Sequence, residues 1–230
     1  MGRLGIIIFA RSSSKRLPNK VLKKICTIPL LKLIVARVKK SSLKYQIIIN
    51  TSSHKSDDKI IKFCKNENIK YFRGDLENVF DRTIKCCKKF KLKAFVRINA
   101  DRPYLDYKLI DKMVHILKKK KFDIVTNQFP KTVPAGLACE VAISKVFFDL
   151  EKSKISKNEQ EHIFNFFYKN SKNYRIFNFK DKFLSKIRNK KFSIDTESDI
   201  KKVNILCKKI GTNNMINFKT KRILKILENL

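Results

Sequence analysis

Short apolar runs rich in Ile, Val and Phe alternate along this chain with segments whose apolar residues recur at helical spacing. That rhythm restricts the fold to an α/β domain built on a largely parallel sheet. Leu4–Phe9 reads as the first strand, and Pro29 suits the first turn of a helix carrying Leu30, Leu31, Ile34, Val35 and Val38. Strands follow at 46–50, 70–72, 94–98 and 123–126, separated by helices at 57–67, 77–90 and from 105 to about 121. The longest irregular stretch, 128–139, holds Pro130, Pro134 and Gly136 and reads as an active-site loop. A strand at 140–143, helices near 146–151 and 159–170, a strand at 174–179, and a short strand at 192–194 leading to Asp195 come next. A helix at 197–209 ends before Gly211; a polar turn then leads to a basic amphipathic helix, 218–230. The expected organisation is one domain over 1–210 with a C-terminal basic appendage over 211–230.

The first strand runs directly into Arg11-Ser-Ser-Ser-Lys-Arg16-Leu-Pro18-Asn-Lys20. Open α/β sheets bind their ligands at the carboxyl ends of strands. Three small hydroxyl residues let this backbone turn closely around an anion, Arg11, Arg16 and Lys20 bring positive charge, and Pro18 stiffens the exit. The loop is suited to a polyphosphate. It is neither the Gly-rich phosphate loop nor a dinucleotide fingerprint, because no glycine lies between Gly5 and Gly74. With 54 basic residues against 20 acidic, carboxylates at strand ends are the more telling marks. Asp101 follows an apolar strand and precedes Pro103, a place suited to Mg²⁺, which takes one or two carboxylates plus phosphate oxygens. The competing role is a helix cap, for which Asp106 is better placed.

The stretch Ala10-Arg11-x-x-Ser14-x-Arg16-Leu17-Pro18-x-Lys20 resembles the opening signature of the sugar cytidylyltransferases. The likeness is strongest to the branch of spore-coat polysaccharide biosynthesis protein F, related to the enzymes that make CMP-Kdo and CMP-sialic acid. Further motifs follow in family order: Arg73-Gly74-Asp75 with Asp81-Arg82, Asp101-Arg-Pro103-Tyr-Leu105, Pro134-x-Gly136-x-x-x-Glu140-Val, Glu159-Gln-Glu161-His162 and Ile194-Asp195-Thr196-x-x-Asp199. The likeness covers about 4–205, with Asn19 in place of a glycine, Ala135 of an acidic residue and Gln160 of an arginine.

The resemblance implies a Rossmann-like, glycosyltransferase-A-like nucleotidyltransferase domain with a mostly parallel mixed sheet. It implies transfer of CMP from CTP to a sugar or sugar acid, for surface polysaccharide biosynthesis, with release of pyrophosphate. Ala10, Arg11, Ser14, Lys20, Arg73 and Asp101 would bind the nucleotide, Arg73 by reading the pyrimidine edge. Arg11, Arg16, Lys20 and Asp101 would be catalytic, Gly136, Glu140, Glu161 and His162 would meet the sugar, and Asp101 with Asp195 would hold Mg²⁺. Asp195 could instead start the following helix, with Asp199 as the alternative ligand.

A net charge of +34 raises a rival from another class, a basic nucleic-acid- or membrane-associated binding module. Against it, the excess is mostly lysine spread along the chain, whereas base readers cluster arginine and aromatics on one element. A related nucleotidyltransferase or glycosyltransferase using another nucleotide is the nearer alternative. No apolar run approaches the ~18 residues of a membrane span, and six cysteines without Cys-x-x-Cys spacing read as reduced core thiols of a cytoplasmic protein. A homodimer is compatible with these features. His54 and His115 read as structural.

Overall fold

The computed structural model describes residues 3–119 and 121–228. In chain order the elements are β1 (Leu4–Phe9), β2 (Lys24–Ile25), β3 (Ile28–Pro29), α1 (Leu30–Val38), β4 (Gln46–Ser52), α2 (Asp58–Asn66), β5 (Lys70–Gly74), α3 (Val79–Lys89) and β6 (Ala94–Asn99). They continue with α4 (Tyr107–Lys119), β7 (Ile124–Thr126), β8 (Glu140–Ile143), α5 (Ser144–Phe148), α6 (Lys157–Glu161), α7 (Asn165–Lys169) and β9 (Ile176–Asn178). The last four are α8 (Lys182–Lys186), α9 (Glu197–Ile210), α10 (Thr212–Asn217) and α11 (Thr220–Glu228). The expected helix ends at residues 120 and 229–230 lie outside the described residues.

One seven-stranded sheet has the order β5-β4-β1-β6-β8-β7-β9, and β2 with β3 forms a separate hairpin. Its pairs are parallel except where β8 runs antiparallel to β6 and β7. After β1 the chain moves outward through β4 and β5, then returns to place β6 on the other flank of β1. The crevice at the carboxyl ends of β1 and β6 is therefore a topological switch point, where sheets of this kind bind ligands. Alternation along β1 sends Ile6 and Ile8 to one face and Ile7 to the other. The second face is filled by phenylalanines, Phe147 lying 5.1 Å from Phe80 and 4.7 Å from Phe167 between ring centroids.

The segment after Gly211, expected as an appendage, is packed into the main core through Met215, Ile223 and Leu224. Arg37, fully buried on α1, donates from Nε to Leu105 O (2.9 Å), from Nη1 to Met215 O and Phe218 O, and from Nη2 to Thr220 Oγ1 (3.0 Å). Burial lowers its pKa to about 10, and main-chain carbonyls of the last turns solvate the charge. The turn expected after Gly211 is the helix α10, and the helix expected over 159–170 is broken into α6 and α7 where His162 leaves helical geometry (φ −104°, ψ 78°). Residues 192–194 form no strand; next to a lone bridge between Ala135 and Lys191, Phe192 N–H donates to Ala135 O (2.8 Å) and Ile194 N–H to Asp101 O (2.9 Å).

A disulfide joins Cys26 to Cys207, correcting the reading of six reduced thiols, while Cys64, Cys86, Cys87 and Cys139 are free and buried. The cause is the β2–β3 hairpin lying along α9, where Cys26 N–H donates to Asn204 Oδ1 (2.7 Å) and the two Cα atoms come within 6.1 Å.

Candidate active site

The basic loop between β1 and Lys20 folds on its own main chain: Ser14 N–H and Asn19 N–H both donate to Ser12 O, at 2.9 and 3.0 Å. Asn19 takes the left-handed conformation (φ 56°, ψ 19°) that a glycine would adopt freely and that Asn tolerates. Ala10 and Leu17 are each 2% exposed and anchor the loop, with Ala10 N–H donating to Asn50 O at 3.2 Å. A carboxylate that the sequence reading missed fixes the loop from below. Asp57, fully buried after β4, accepts from Ser12 N (2.7 Å), Thr51 Oγ1 (2.9 Å) and Ser52 N (3.0 Å). Burial opposes its ionisation, but these donors and the Ser52 hydroxyl outweigh it and hold the carboxyl below its ordinary range.

Lys20 emerges from this loop into the crevice. Its Nζ donates to Asp101 Oδ2 (3.0 Å), Asp195 Oδ1 (3.1 Å) and Ile194 O (2.9 Å). Residues 81 and 175 positions away thus share one ammonium, and Ile194 N–H donating to Asp101 O at 2.9 Å locks their two loops together. Arg16 also reaches Asp195 Oδ1 (3.1 Å), and Lys191 its other oxygen (3.3 Å). Burial works against the charge on Asp195, yet Lys20 and Lys191 keep its pKa below the usual carboxylate value.

The helix-cap alternative for Asp195 fails, because Thr196 caps α9 and Asp199 closes its capping box. Asp199 accepts from Asp195 N (2.8 Å), Thr196 N (2.9 Å) and Lys191 Nζ (2.7 Å). Burial would raise its pKa, but Lys191 and the two amides push it down to about 2. Asp106 is the residue that accepts from the first amides of α4, as its position suggested, leaving Asp101 to Lys20. Arg102 turns inward, 7% exposed, with Nη1 on Ala138 O.

Beside this pair lies a cavity of about 440 Å³ whose walls include Arg97, Asp101, Gly136, Glu140, His162 and Tyr168. Glu140, expected to meet sugar hydroxyls, is 3% exposed with both oxygens engaged by protein: Tyr168 OH donates to Oε1 and Arg97 Nη1 to Oε2, each at 2.8 Å. It holds the wall rather than offering itself. Gly136 (φ +95°) touches the cavity, but its missing side chain serves the 192–193 backbone, which a Cβ would meet at 2.5 Å. Glu161 is half-exposed and pairs with Arg11 (3.2 Å), joining the basic loop to α6. His162 faces the cavity. Arg73 is engaged with its own neighbourhood, donating to Ser52 O (3.0 Å) and His54 O (3.2 Å) and pairing with Asp58 (2.8 Å). Arg97 had a signal in sequence, a charge inside the apolar strand Ala94–Asn99; Asp57 and Tyr168 had none that separates them from ordinary polar residues.

The sequence profile described as Cytidylyltransferase matches residues 5–226. The chain belongs to the cytidylyltransferase family. Among relatives of this cytidylyltransferase, spore coat polysaccharide biosynthesis protein SpsF of Bacillus subtilis is 28% identical, over 92% of this chain and 89% of that protein. A cytidylyltransferase from Leptospira borgpetersenii superposes with a TM-score of 0.88 at 22% identity, over 99% of this chain and 94% of that one. CMP:2-keto-3-deoxy-manno-octonic acid synthetase complexed with CTP superposes at 0.68 and 16% identity, over 90% and 99%. The two superpositions establish the nucleotidyltransferase fold; the family match carries the activity. Cytidylyl transfer is the chemistry that membership of this family gives the chain.

Proposed function

We propose that this cytidylyltransferase moves CMP from CTP to a hydroxyl of a sugar or sugar acid, in the cytoplasm, for a surface polysaccharide. The observation that carries the reading is Lys20 standing between Asp101 and Asp195 at the switch point of the sheet. Lys20 and Arg16 lie where a triphosphate entering the crevice would meet fixed positive charge, and Arg11 stands between that place and Glu161. As the acceptor hydroxyl attacks the α-phosphorus, the bond to the β-phosphate oxygen breaks in line, and pyrophosphate leaves with its charge met by Lys20 and Arg16. Ala10 and Ser14 line the loop side of the nucleotide, and Arg73 is the proposed reader of the pyrimidine carbonyl through its remaining N–H donors.

Asp101 and Asp195 fit Mg²⁺: both carboxylates converge on one cationic point, and this ion needs few protein oxygens when a phosphate supplies the rest. Among the described residues no cluster of three or more His, Cys, Asp or Glu forms a self-sufficient metal site, in keeping with a site completed by substrate. When bound, the ion supplies charge neutralisation at the reacting phosphate. We assign the acceptor to the cavity beside Asp101, with Arg97, Tyr168 and His162 on its walls; His162, or Glu161 beside it in sequence and paired with Arg11, would take the hydroxyl proton.

The test is a panel of nucleotides and sugars, with Mg²⁺, assayed for pyrophosphate. CTP with an acidic sugar should lead, and pyrophosphate from no CTP–sugar pair would falsify the proposal.

A further inference from the structure

Two populations of cysteine exist in this fold. Burial pushes the thiols of Cys64, Cys87 and Cys139 up to about 12, and that of Cys86 in the same direction, so these four stay protonated and unreactive. Cys26 and Cys207 are placed differently. Cys26 is partly exposed in the hairpin that follows the Lys20 turn, and Cys207 lies 1% exposed on the helix that begins just after Asp195. Their disulfide therefore ties together the two segments that deliver Lys20 and Asp195 to one point.

Polar contacts already align the same segments. Cys26 N–H donates to Asn204 Oδ1, Lys23 pairs with Glu197, and the hydroxyls of Thr27 and Thr212 lie 3.3 Å apart. These contacts do not depend on the sulfur–sulfur bond, so they would keep the thiols near one another after reduction. Disulfides in a reducing compartment are usually transient or sensing rather than permanent braces. Cys26, the partly exposed partner of the pair, gives an external thiolate its point of attack, with buried Cys207 as the leaving thiolate.

We propose that Cys26 and Cys207 form a reversible thiol–disulfide modification site, addressed by a small thiol/disulfide couple, that clamps the Lys20 wall of the nucleotide site to the Asp195 wall. The inference rests on reading Lys20 and Asp195 as the triphosphate site. Closing the bond consumes one small disulfide: the two protein thiols give up two protons and two electrons, one S–S bond forms in the protein, and one breaks in the reagent, which leaves as two thiols. Two small thiols reverse it. With the bond closed, the nucleotide meets walls already in place; with it open, ordering them draws on binding energy.

The experiment equilibrates the full chain in glutathione buffers of graded ratio, traps it, and counts free thiols by alkylation and mass spectrometry. Hydrogen exchange is followed over 23–29 and 197–212, and the KM for CTP is taken from pyrophosphate release. The expected result is four free thiols passing reversibly to six, faster exchange confined to those two segments in the reduced form, and a KM for CTP about three- to tenfold higher. Cys26→Ser should show the exchange and KM of the reduced form in every buffer, with five thiols in place of six. Six thiols at every ratio would overturn the proposal, as would four at every ratio, the mark of a permanent brace. Full interconversion with unchanged exchange and KM would overturn the clamp. Switching thiols and exchange without pyrophosphate from any sugar would uphold the clamp and overturn the nucleotidyl-transfer reading instead.

Discussion

Lys20 is one ammonium serving two carboxylates and a carbonyl, and its removal leaves Asp101 and Asp195 facing each other without it. Lys20→Ala should lower kcat/KM for CTP by about 2–4 kcal/mol, the scale of one charge donor lost from a transition state. Unchanged kcat/KM would remove Lys20 from the chemistry. Asp195 and Asp199 separate two roles that lie four positions apart. Asp195→Asn and Asp101→Asn should each raise the Mg²⁺ concentration needed for turnover, whereas Asp199→Asn should leave that concentration alone and lower the melting temperature through the lost cap. The pH dependence has the same origin. Asp199 is held at about 2 in the fold against an ordinary 3.8, so the unfolded chain takes up its proton first as pH falls. Its contribution, roughly 2 kcal/mol, is present above pH 3.8 and lost between there and about 2; Asp199→Asn should flatten the unfolding free energy over that window. A wild-type slope retained in the variant would assign the acid lability elsewhere.

At the scale of elements, the seven strands of the main sheet and the loop after β1 were legible because a strand writes itself in a few adjacent residues, whereas the β2–β3 hairpin was not and the strand expected at 192–194 did not form. The partnership of Asp101 and Asp195 was legible only through motif likeness, since nothing local joins residues so far apart. What escaped was decided by distant packing. Residues 212–217 look like a polar turn until Met215 finds the core, and the antiparallel run of β8 leaves no mark on its own apolar pattern. The disulfide depends on the β2–β3 hairpin docking on α9, which spacing along the chain does not encode. Gly136 and Gly211 make a paired test of such packing. Both have positive φ, but a Cβ at Gly211 meets nothing within 4 Å, while at Gly136 it strikes the Phe192–Ser193 backbone. Gly211→Ala should cost about 1–3 kcal/mol of backbone strain. Gly136→Ala should cost visibly more in chemical denaturation and also depress turnover, because the displaced 192–193 backbone leads into Asp195; equal costs would contradict the close approach.

For the molecule as a whole, the charge of +34 and the nucleotide pocket act at different ranges. Lysines scattered over a surface attract any polyanion diffusely, and salt suppresses that attraction. A pocket with fixed donors discriminates by hydrogen bonds that persist. At ~0.2 M salt with Mg²⁺, CTP should raise the melting temperature more than ATP or GTP, while random RNA binding is largely lost. Arg73→Ala should reduce the CTP preference and Lys118→Ala should not; salt-resistant, sequence-selective RNA binding with no thermal response to nucleotides would contradict this picture. The buried Arg37 bears on how the molecule is made. Its guanidinium sits on an early helix, yet the carbonyls at 215–218 and the Thr220 hydroxyl that surround it belong to late segments. During synthesis, α1 therefore emerges with a cation that the growing core cannot yet enclose, and that face stays open to water until the last helices leave the ribosome. Enclosure of that charge waits on residues 178 to 183 positions further along the chain.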